Sequence, residues 1–490
     1  MSDIHFGTDG WRAIIAEQFT FKNVERVAYA VGKYVKHKYH SGSGAKVPVL
    51  ISHDTRFLAD KFALRAAQVL LGMDVPVKLV NMDTPTPTIA WATQHEPTAG
   101  ALQFTASHNP PEYCGVKYIP EYAGPATTEI TNNLLAHLED MPADYEAPNV
   151  EVPRFDPKPP YIEALKKLVD YKKIGASGLR VGFDALFSTS RGYLNNFLME
   201  AGLDEVYTLH DWRDPLFGGF MPEPKREFLQ QLSQLVKDKR LDVGIATDGD
   251  ADRFAVIDER GGYFSPNQLL CLLTRHLVKN RGFKGTIVRT VATTHVLNRL
   301  AQLYGLDIIE TPVGFKYVGE EMRKGDVLLG GEESGGFSFR GHIPEKDGIL
   351  ANLLLIEMLA YEKKPLTKVW AELTAEAGIS LQYRRHDLYL PKTQKALMER
   401  LIAQPLTTLG GEPIVRVDTK DGQKLYVDEN NWFLIRPSGT EPLIRLYSEA
   451  STAERADRMM SDFNEQIERI LKTISPQTVT NGSTVPVGTH

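Results

Sequence analysis

Thr247-Asp248-Gly249-Asp250-Ala251-Asp252-Arg253 sets three carboxylates two residues apart and runs directly into the apolar Phe254-Ala255-Val256-Ile257. As extended chain it turns Asp248, Asp250 and Asp252 to one side, because strand side chains alternate with a period of two. Three like charges this close repel one another unless a cation neutralises them. An all-oxygen ligand set suits Mg²⁺ or Ca²⁺ over softer metals. An EF-hand loop counted from Asp248 would end on Glu259, but its sixth position holds Arg253 where that loop needs glycine, and a strand follows instead of a helix. A solvated acidic turn is the remaining alternative.

The same strand, polar loop, strand pattern occurs twice more, around Thr105 to Pro111 and Gly330 to Gly336. Each loop lies roughly 40–65 residues beyond a strand-like run that leads into helical periodicity. These runs are Val49-Leu50-Ile51-Ser52, Leu179 to Phe183 and Thr286-Ile287-Val288. Thr20 can cap a helix with the stripe Phe21, Val24, Val27, Ala28, Val31, Val35; a second helix is expected from Leu58 to Leu71, stopped by Gly72, then a strand from Val75 to Val80. Such alternation predicts three related α/β units, each delivering one loop from a strand end, where open α/β sheets bind ligands. Prolines cluster from Met141 to Pro160, a break is expected near Gly378 before a strand at Ile379 to Tyr383, and the chain then changes to an α+β texture. The expected domains are 1–150, 151–265, 266–376 and a smaller α+β domain over 377–474, with 475–490 as a disordered tail.

The chain has 490 residues, with 56 Lys and Arg against 62 Asp and Glu, a net charge of −6. That balance excludes a strongly basic nucleic-acid sleeve, so an anionic ligand must be met by local Arg and Lys. Two cysteines, Cys114 and Cys271, cannot build a disulfide framework. No apolar stretch of membrane-spanning length and no secretory leader stands out, which predicts a cytoplasmic protein without membrane partners.

In Thr105-Ala106-Ser107-His108-Asn109-Pro110-Pro111, His108 adjoins Ser107 but need not be its base, since adjacent strand positions face opposite ways. Local hydrogen bonding in a turn is the competing explanation. A cation on the Asp248 loop could bind a phosphate on Ser107, and Lys117 lies nearby in sequence. Arg436-Pro437-Ser438-Gly439-Thr440-Glu441-Pro442, with Arg445 beyond, offers two hydroxyls and glycine-exposed backbone between arginines, a nest for a phosphate dianion or a plain turn. Gly330-Gly331-Glu332-Glu333-Ser334-Gly335-Gly336 puts a carboxylate and a hydroxyl on a flexible loop suited to sugar hydroxyls.

These four loops, in this order, with the opening Phe6-Gly7-Thr8-Asp9-Gly10-Trp11-Arg12, resemble the α-D-phosphohexomutase superfamily over roughly residues 4 to 472. The resemblance implies four domains around a central active-site cleft, three related α/β domains with mixed sheets and then a smaller α+β domain. It implies Ser107 carried as phosphoserine, Mg²⁺ held by Ser107, Asp248, Asp250 and Asp252, and Arg12 and Arg253 on the phosphoryl group. Glu332 and Ser334 would bind the sugar. Arg436, Ser438, Gly439, Thr440 and Arg445 would grip the non-reacting phosphate. Lys117, His108, His342 and Lys346 match positions linked to proton transfer or substrate contact, and Lys316 lies in the Pro312-Val313-Gly314-Phe315-Lys316 loop. The implied reaction passes through glucose 1,6-bisphosphate, in a monomer or homodimer acting on a small hexose phosphate.

Glu332-Glu333-Ser334 with His342 to Gly348 looks like phosphoglucomutases, a resemblance that implies glucose phosphate, while the short loop from Pro110 to Lys117 looks more like dual-specificity phosphoglucomutase/phosphomannomutases. A glucose 1,6-bisphosphate synthase would share the same motifs. A non-catalytic sugar-phosphate-binding protein would tolerate loss of the Ser107 hydroxyl.

Overall fold

Parallel strands require crossover connections, and amphipathic helices between short β-branched runs supply them. The computed structural model describes residues 4–7, 9–40, 46–390, 394–403, 405–438 and 443–474. The chain divides into two units, one of Met1–Val288 with Gly314–Ala371, the other of Arg289–Val313 with the chain from Glu372 onward.

In the first unit, a six-stranded sheet runs in the order Trp11–Ile14, Tyr113–Ile119, Ala101–Phe104, Val49–His53, Val77–Val80, Arg154–Phe155. Val49–His53 pairs in parallel with both Val77–Val80 and Ala101–Phe104, whereas Tyr113–Ile119 returns antiparallel beside Ala101–Phe104. Helix Phe21–Tyr39 is capped by the Thr20 hydroxyl, which accepts from the Asn23 N–H, and it buries Val24, Val27, Val31 and Val35. The second helix spans Ala59–Gly72, so Gly72 is helical and does not stop it. Glycine is needed there for close packing, since a Cβ would stand 2.7 Å from both Tyr145 Oη and Pro148 Cδ. The reversal falls instead on Asp74, at φ +61°.

The second sheet has the order Tyr263–Phe264, Phe254–Ile257, Val243–Thr247, Val181–Asp184, Val206–Leu209. Its last three strands are parallel, and Phe254–Ile257 returns antiparallel beside Val243–Thr247. A third hairpin joins Val327–Gly331 to Phe337–Phe339. Each of the three loops singled out in the sequence therefore sits at the tip of an antiparallel return. The acidic segment is not extended chain, however. The ladder ends at Thr247 opposite Phe254, Ala251 takes φ +60°, and the Ala251 N–H closes a turn on the Asp248 carbonyl at 3.1 Å. Turn geometry, not strand alternation, gathers the three carboxylates.

The second unit carries an antiparallel sheet in the order Gln382–Tyr389, Leu443–Ala450, Trp432–Pro437, Gln423–Tyr426, Arg416–Asp418, with helices Gln394–Ala403 and Ala453–Ile474. Leu397, Leu425, Phe433, Leu446, Met459 and Phe463 form its core. Gly378, at φ +66°, follows the helix Leu366–Ala377, and the next strand begins at Gln382, later than expected. The expected tail, 475–490, lies outside the described residues. No helix among the described residues is long and apolar enough to cross a membrane.

Candidate active site

The serine loop leaves the strand Ala101–Phe104 and the acidic loop leaves Val243–Thr247, and the first unit brings the two tips together. Ser107 is 1 % exposed, and its hydroxyl donates to Asp248 Oδ2 at 2.8 Å. Asp248, Asp250 and Asp252 each present an oxygen within 4.8 Å of the others. Asp250 also accepts from the Thr86 hydroxyl at 2.6 Å. Lys117 Nζ donates to Asp250 at 3.0 Å and Asp252 at 3.1 Å, and Lys346 Nζ stands 3.1 Å from Asp252. Asp9 joins from the N-terminal loop, 3.0 Å from Lys117 and 2.9 Å from Arg12, and Arg12 also donates to Asn109 Oδ1 at 2.8 Å.

Burial and charge set the protonation of these groups. Burial, reinforced by Asp252 and Asp250, pushes the Asp248 carboxyl well above its ordinary range. Burial works against ionising Asp250, but Lys117 and the Thr86 hydroxyl outweigh it and hold that carboxyl at about 2. Burial likewise opposes the charge on Lys117, yet Asp250, Asp252 and Asp9 raise it well above the usual lysine value. A general-base role needs the opposite shift, so in this arrangement Lys117 is a cation. Burial, helped by Arg253 and Arg12, drives His108 well below the usual histidine value, leaving a neutral ring whose Nδ1 lies 3.3 Å from Ser107 Oγ.

The cluster fits a hard divalent cation. Asp250 Oδ1 and Asp252 Oδ1 are buried without a hydrogen-bond partner while their second oxygens are bonded, and Asp248 faces the serine hydroxyl. Uncompensated buried carboxylate oxygens are costly, and oxygen-only donors suit Mg²⁺.

The remaining candidates divide between the units. In the first, Arg253 is anchored through its backbone N–H to Asp248 Oδ1 at 3.0 Å and bridges to Gly336 of the third loop, while its buried Nε has no hydrogen-bond partner. Glu332 accepts the Gly314 N–H at 3.0 Å, and Ser334 Oγ stands 3.5 Å from Glu332. Burial and then Glu333 push Glu332 up to about 7. Lys316 donates to Thr128 at 3.2 Å from an exposed position. His342 is buried, and its ring pairs with Asp347 at 2.7 Å, beside the Tyr161 hydroxyl on the same oxygen at 2.6 Å. Its hydrogen bonding therefore serves the start of helix Gly348–Glu362, which Asp347 caps through Leu350 N–H. In the second unit, Arg436 and Arg445 face each other across the Trp432–Pro437 and Leu443–Ala450 pair, Arg436 Nε donates to Asp421 at 2.9 Å, and Ser438 N–H bonds Leu443 O at 2.8 Å. Gly439 and Thr440 lie outside the described residues.

Four further residues reach the cluster without having been assigned a role from the sequence: Asp9, although it lies in the opening motif, Thr86, and the buried pair Asp54 and Arg56, whose guanidinium donates to the Ser107 carbonyl at 2.7 Å. Asp9 is brought in by the N-terminal loop and Thr86 by the start of the helix Thr86–His95. Asp54 and Arg56 do carry a signal, since they follow directly on the end of the strand Val49–His53, the sheet position from which ligand loops leave.

Four family models match in chain order: phosphoglucomutase/phosphomannomutase alpha/beta/alpha domain I over residues 3–143, domain II over 159–262, domain III over 265–377 and the C-terminal domain over 394–466. A phosphoglucomutase/phosphomannomutase of Thermococcus kodakarensis is 31 % identical over 474 residues, covering 95 % of this chain and 99 % of that protein. A probable phosphoglucosamine mutase of Methanopyrus kandleri is 30 % identical over 474 residues, covering 96 % and 99 %. The crystal structure of a putative phosphomannomutase from Thermus thermophilus superposes with a TM-score of 0.84 at 34 % identity, covering 96 % of this chain and all of that one.

Proposed function

The chain belongs to the phosphoglucomutase/phosphomannomutase family of α-D-phosphohexomutases, and on that premise we propose that it interconverts glucose 1-phosphate and glucose 6-phosphate with Ser107 as the phosphoryl carrier. The observation that carries this reading is the Ser107 hydroxyl 2.8 Å from Asp248, beside two more buried carboxylates. A serine in that position can hold a phosphoryl group against a site built for a divalent ion.

In the proposed cycle, a free hydroxyl of the sugar phosphate attacks the phosphorus on Ser107 Oγ. The new P–O bond forms, the P–Oγ bond breaks, and the sugar hydroxyl loses its proton to a nearby base. The Ser107 oxygen released takes up that proton, and the intermediate is glucose 1,6-bisphosphate; after it reorients, Ser107 Oγ attacks its other phosphorus, that sugar O–P bond breaks, and the freed sugar oxygen takes the proton back. Ser107, Asp248, Asp250 and Asp252 would hold Mg²⁺, whose chemistry is to neutralise charge on the transferring group. Catalysis is then mainly positioning and electrostatics. Arg12 and Arg253 bring cationic groups to the phosphoryl oxygens. Lys117 serves as the base only when Asp250 and Asp252 no longer hold its proton. Glu332 and Ser334 orient the sugar hydroxyls, and Arg436, Ser438 and Arg445 hold the phosphate that does not react.

A second reading, glucosamine phosphate as substrate, is favoured by the Methanopyrus kandleri relative, named a probable phosphoglucosamine mutase. Glucose, mannose and glucosamine 1-phosphates assayed side by side, with released bisphosphate tracked, separate these sugars and also a bisphosphate synthase. Turnover of glucose 1-phosphate should dominate, stop with EDTA, return with Mg²⁺ and vanish in Ser107→Ala. Undiminished turnover in that variant, or in metal-free protein, refutes the mechanism.

A further inference from the structure

Ser107 holds its backbone at φ +50°, in the left-handed region that a serine adopts at a cost. Such a conformation persists only when its surroundings over-determine it. Both flanking peptide groups are tied to one buried pair. The Ser107 N–H donates to Thr105 Oγ1 at 2.8 Å, and that hydroxyl donates onward to Asp54 Oδ2 at 2.7 Å. The Ser107 carbonyl accepts from Arg56 at 2.7 Å.

Arg56 has 0 % exposure and spends both terminal nitrogens of its guanidinium on this loop. Its terminal nitrogens donate to the carbonyls of Ser107, Asn109 and Pro110, each at 2.7 Å, and of Tyr113 at 3.0 Å, while Nε donates to Asp54 Oδ2 at 3.0 Å. A guanidinium has five N–H donors, so every one is used and four go to backbone carbonyls of a single loop. The Phe217 ring, 5.0 Å away, covers the group. A lysine keeps the charge but lacks the planar fork that spans four carbonyls.

We propose that Arg56 is a positioning residue for phosphoryl transfer, locking Ser107 in the left-handed backbone that aims Oγ at Asp248. Arg56 touches no reacting atom; it acts through Ser107. The proposal rests on the mutase reading above. Arg56→Lys should lower kcat about a hundredfold, the effect of a displacement of roughly 1 Å at a reacting atom, with KM for the sugar phosphate within twofold. Thr105→Val, which breaks the opposite tie while keeping side-chain volume, should do the same and carries the test if Arg56→Lys does not fold. Leu70→Ala, a core truncation in the same unit, is the stability control and should keep wild-type kcat at temperatures below its Tm.

A crystal structure of either positioning variant gives a readout independent of turnover: Ser107 should relax to negative φ and its Oγ move off Asp248. Wild-type kcat in both variants, a kcat loss matched by Leu70→Ala, or an unchanged Ser107 φ would each overturn the proposal. Lack of hexose phosphate turnover by the wild-type chain would count against the mutase reading, while the crystallographic readout would still decide the role of Arg56.

Discussion

Gly249 lies where the acidic loop passes over the serine loop, and Gly249→Ala tests whether that approach sets the rate. A Cβ there would stand 2.4 Å from the Ser107 carbonyl oxygen and 3.1 Å from Pro222 Cγ. Ordinary contact between such atoms begins near 3.4 Å, so the two loops must part by about 1 Å. The serine loop cannot yield cheaply, because the Ser107 carbonyl is pinned at 2.7 Å by Arg56. The acidic loop is pinned too, through Ala251 N–H to Asp248 O and Gly249 N–H to Pro222 O, both at 3.1 Å. Overpacking of this kind costs about 1–3 kcal/mol of stability. A displacement of about 1 Å between Ser107 and Asp248 costs roughly a hundredfold in rate. Gly249 does not sit in the left-handed region, so backbone preference contributes nothing and the whole effect is steric. The assay is steady-state turnover of glucose 1-phosphate with Mg²⁺, alongside a thermal melt. The expected result is kcat lowered about a hundredfold, KM nearly unchanged and Tm reduced by a few degrees. Wild-type kcat in Gly249→Ala would refute the reasoning, since it would mean the loops have slack that the packing denies.

Arg436→Lys keeps its charge but loses planar two-point contact and the Nε bond to Asp421; KM should rise about tenfold with kcat little changed, and an unchanged KM would count against the phosphate nest. Lys424 is buried in the second unit between Val291 O at 2.6 Å, His295 Nε2 at 3.0 Å and Glu310 at 3.3 Å, and burial, then Arg289, lower it to about 7. Above pH 7 the unfolded chain holds a proton that the folded unit has released, so stability should rise with pH by up to about 1.4 kcal/mol per unit until the ordinary lysine range is reached. Thermal melts of wild type and Lys424→Met between pH 7 and 9 should diverge in that sense; parallel curves would show that Lys424 keeps its proton. Asp347→Ala removes a helix cap and leaves the Tyr161 hydroxyl and the His342 ring unpaired in the interior, for a loss of about 2–4 kcal/mol by denaturant unfolding. A loss under 1 kcal/mol would show that water replaces the cap.

Local order decided how much of this molecule the sequence determines by itself. Periodicity and caps act over a few residues, so the helix behind Thr20, the strands flanking each polar loop and the acidic Asp248, Asp250 and Asp252 motif were legible without coordinates. That the motif offers only oxygen donors was legible for the same reason. Its geometric cause was not, because the turn at Ala251 depends on the ladder ending at Thr247. Gly72 looked like a helix stop only because sequence cannot show Tyr145 and Pro148 against its Cα. The protonation of Lys117 and His108 is likewise tertiary, since it follows from carboxylates and arginines up to 145 residues away. The tie from Arg56 to the Ser107 loop spans 51 residues of chain. Sequence determined which groups are available for the reaction; packing alone decided which of them meet, because a buried charge takes its properties from neighbours that the chain brings together only on folding.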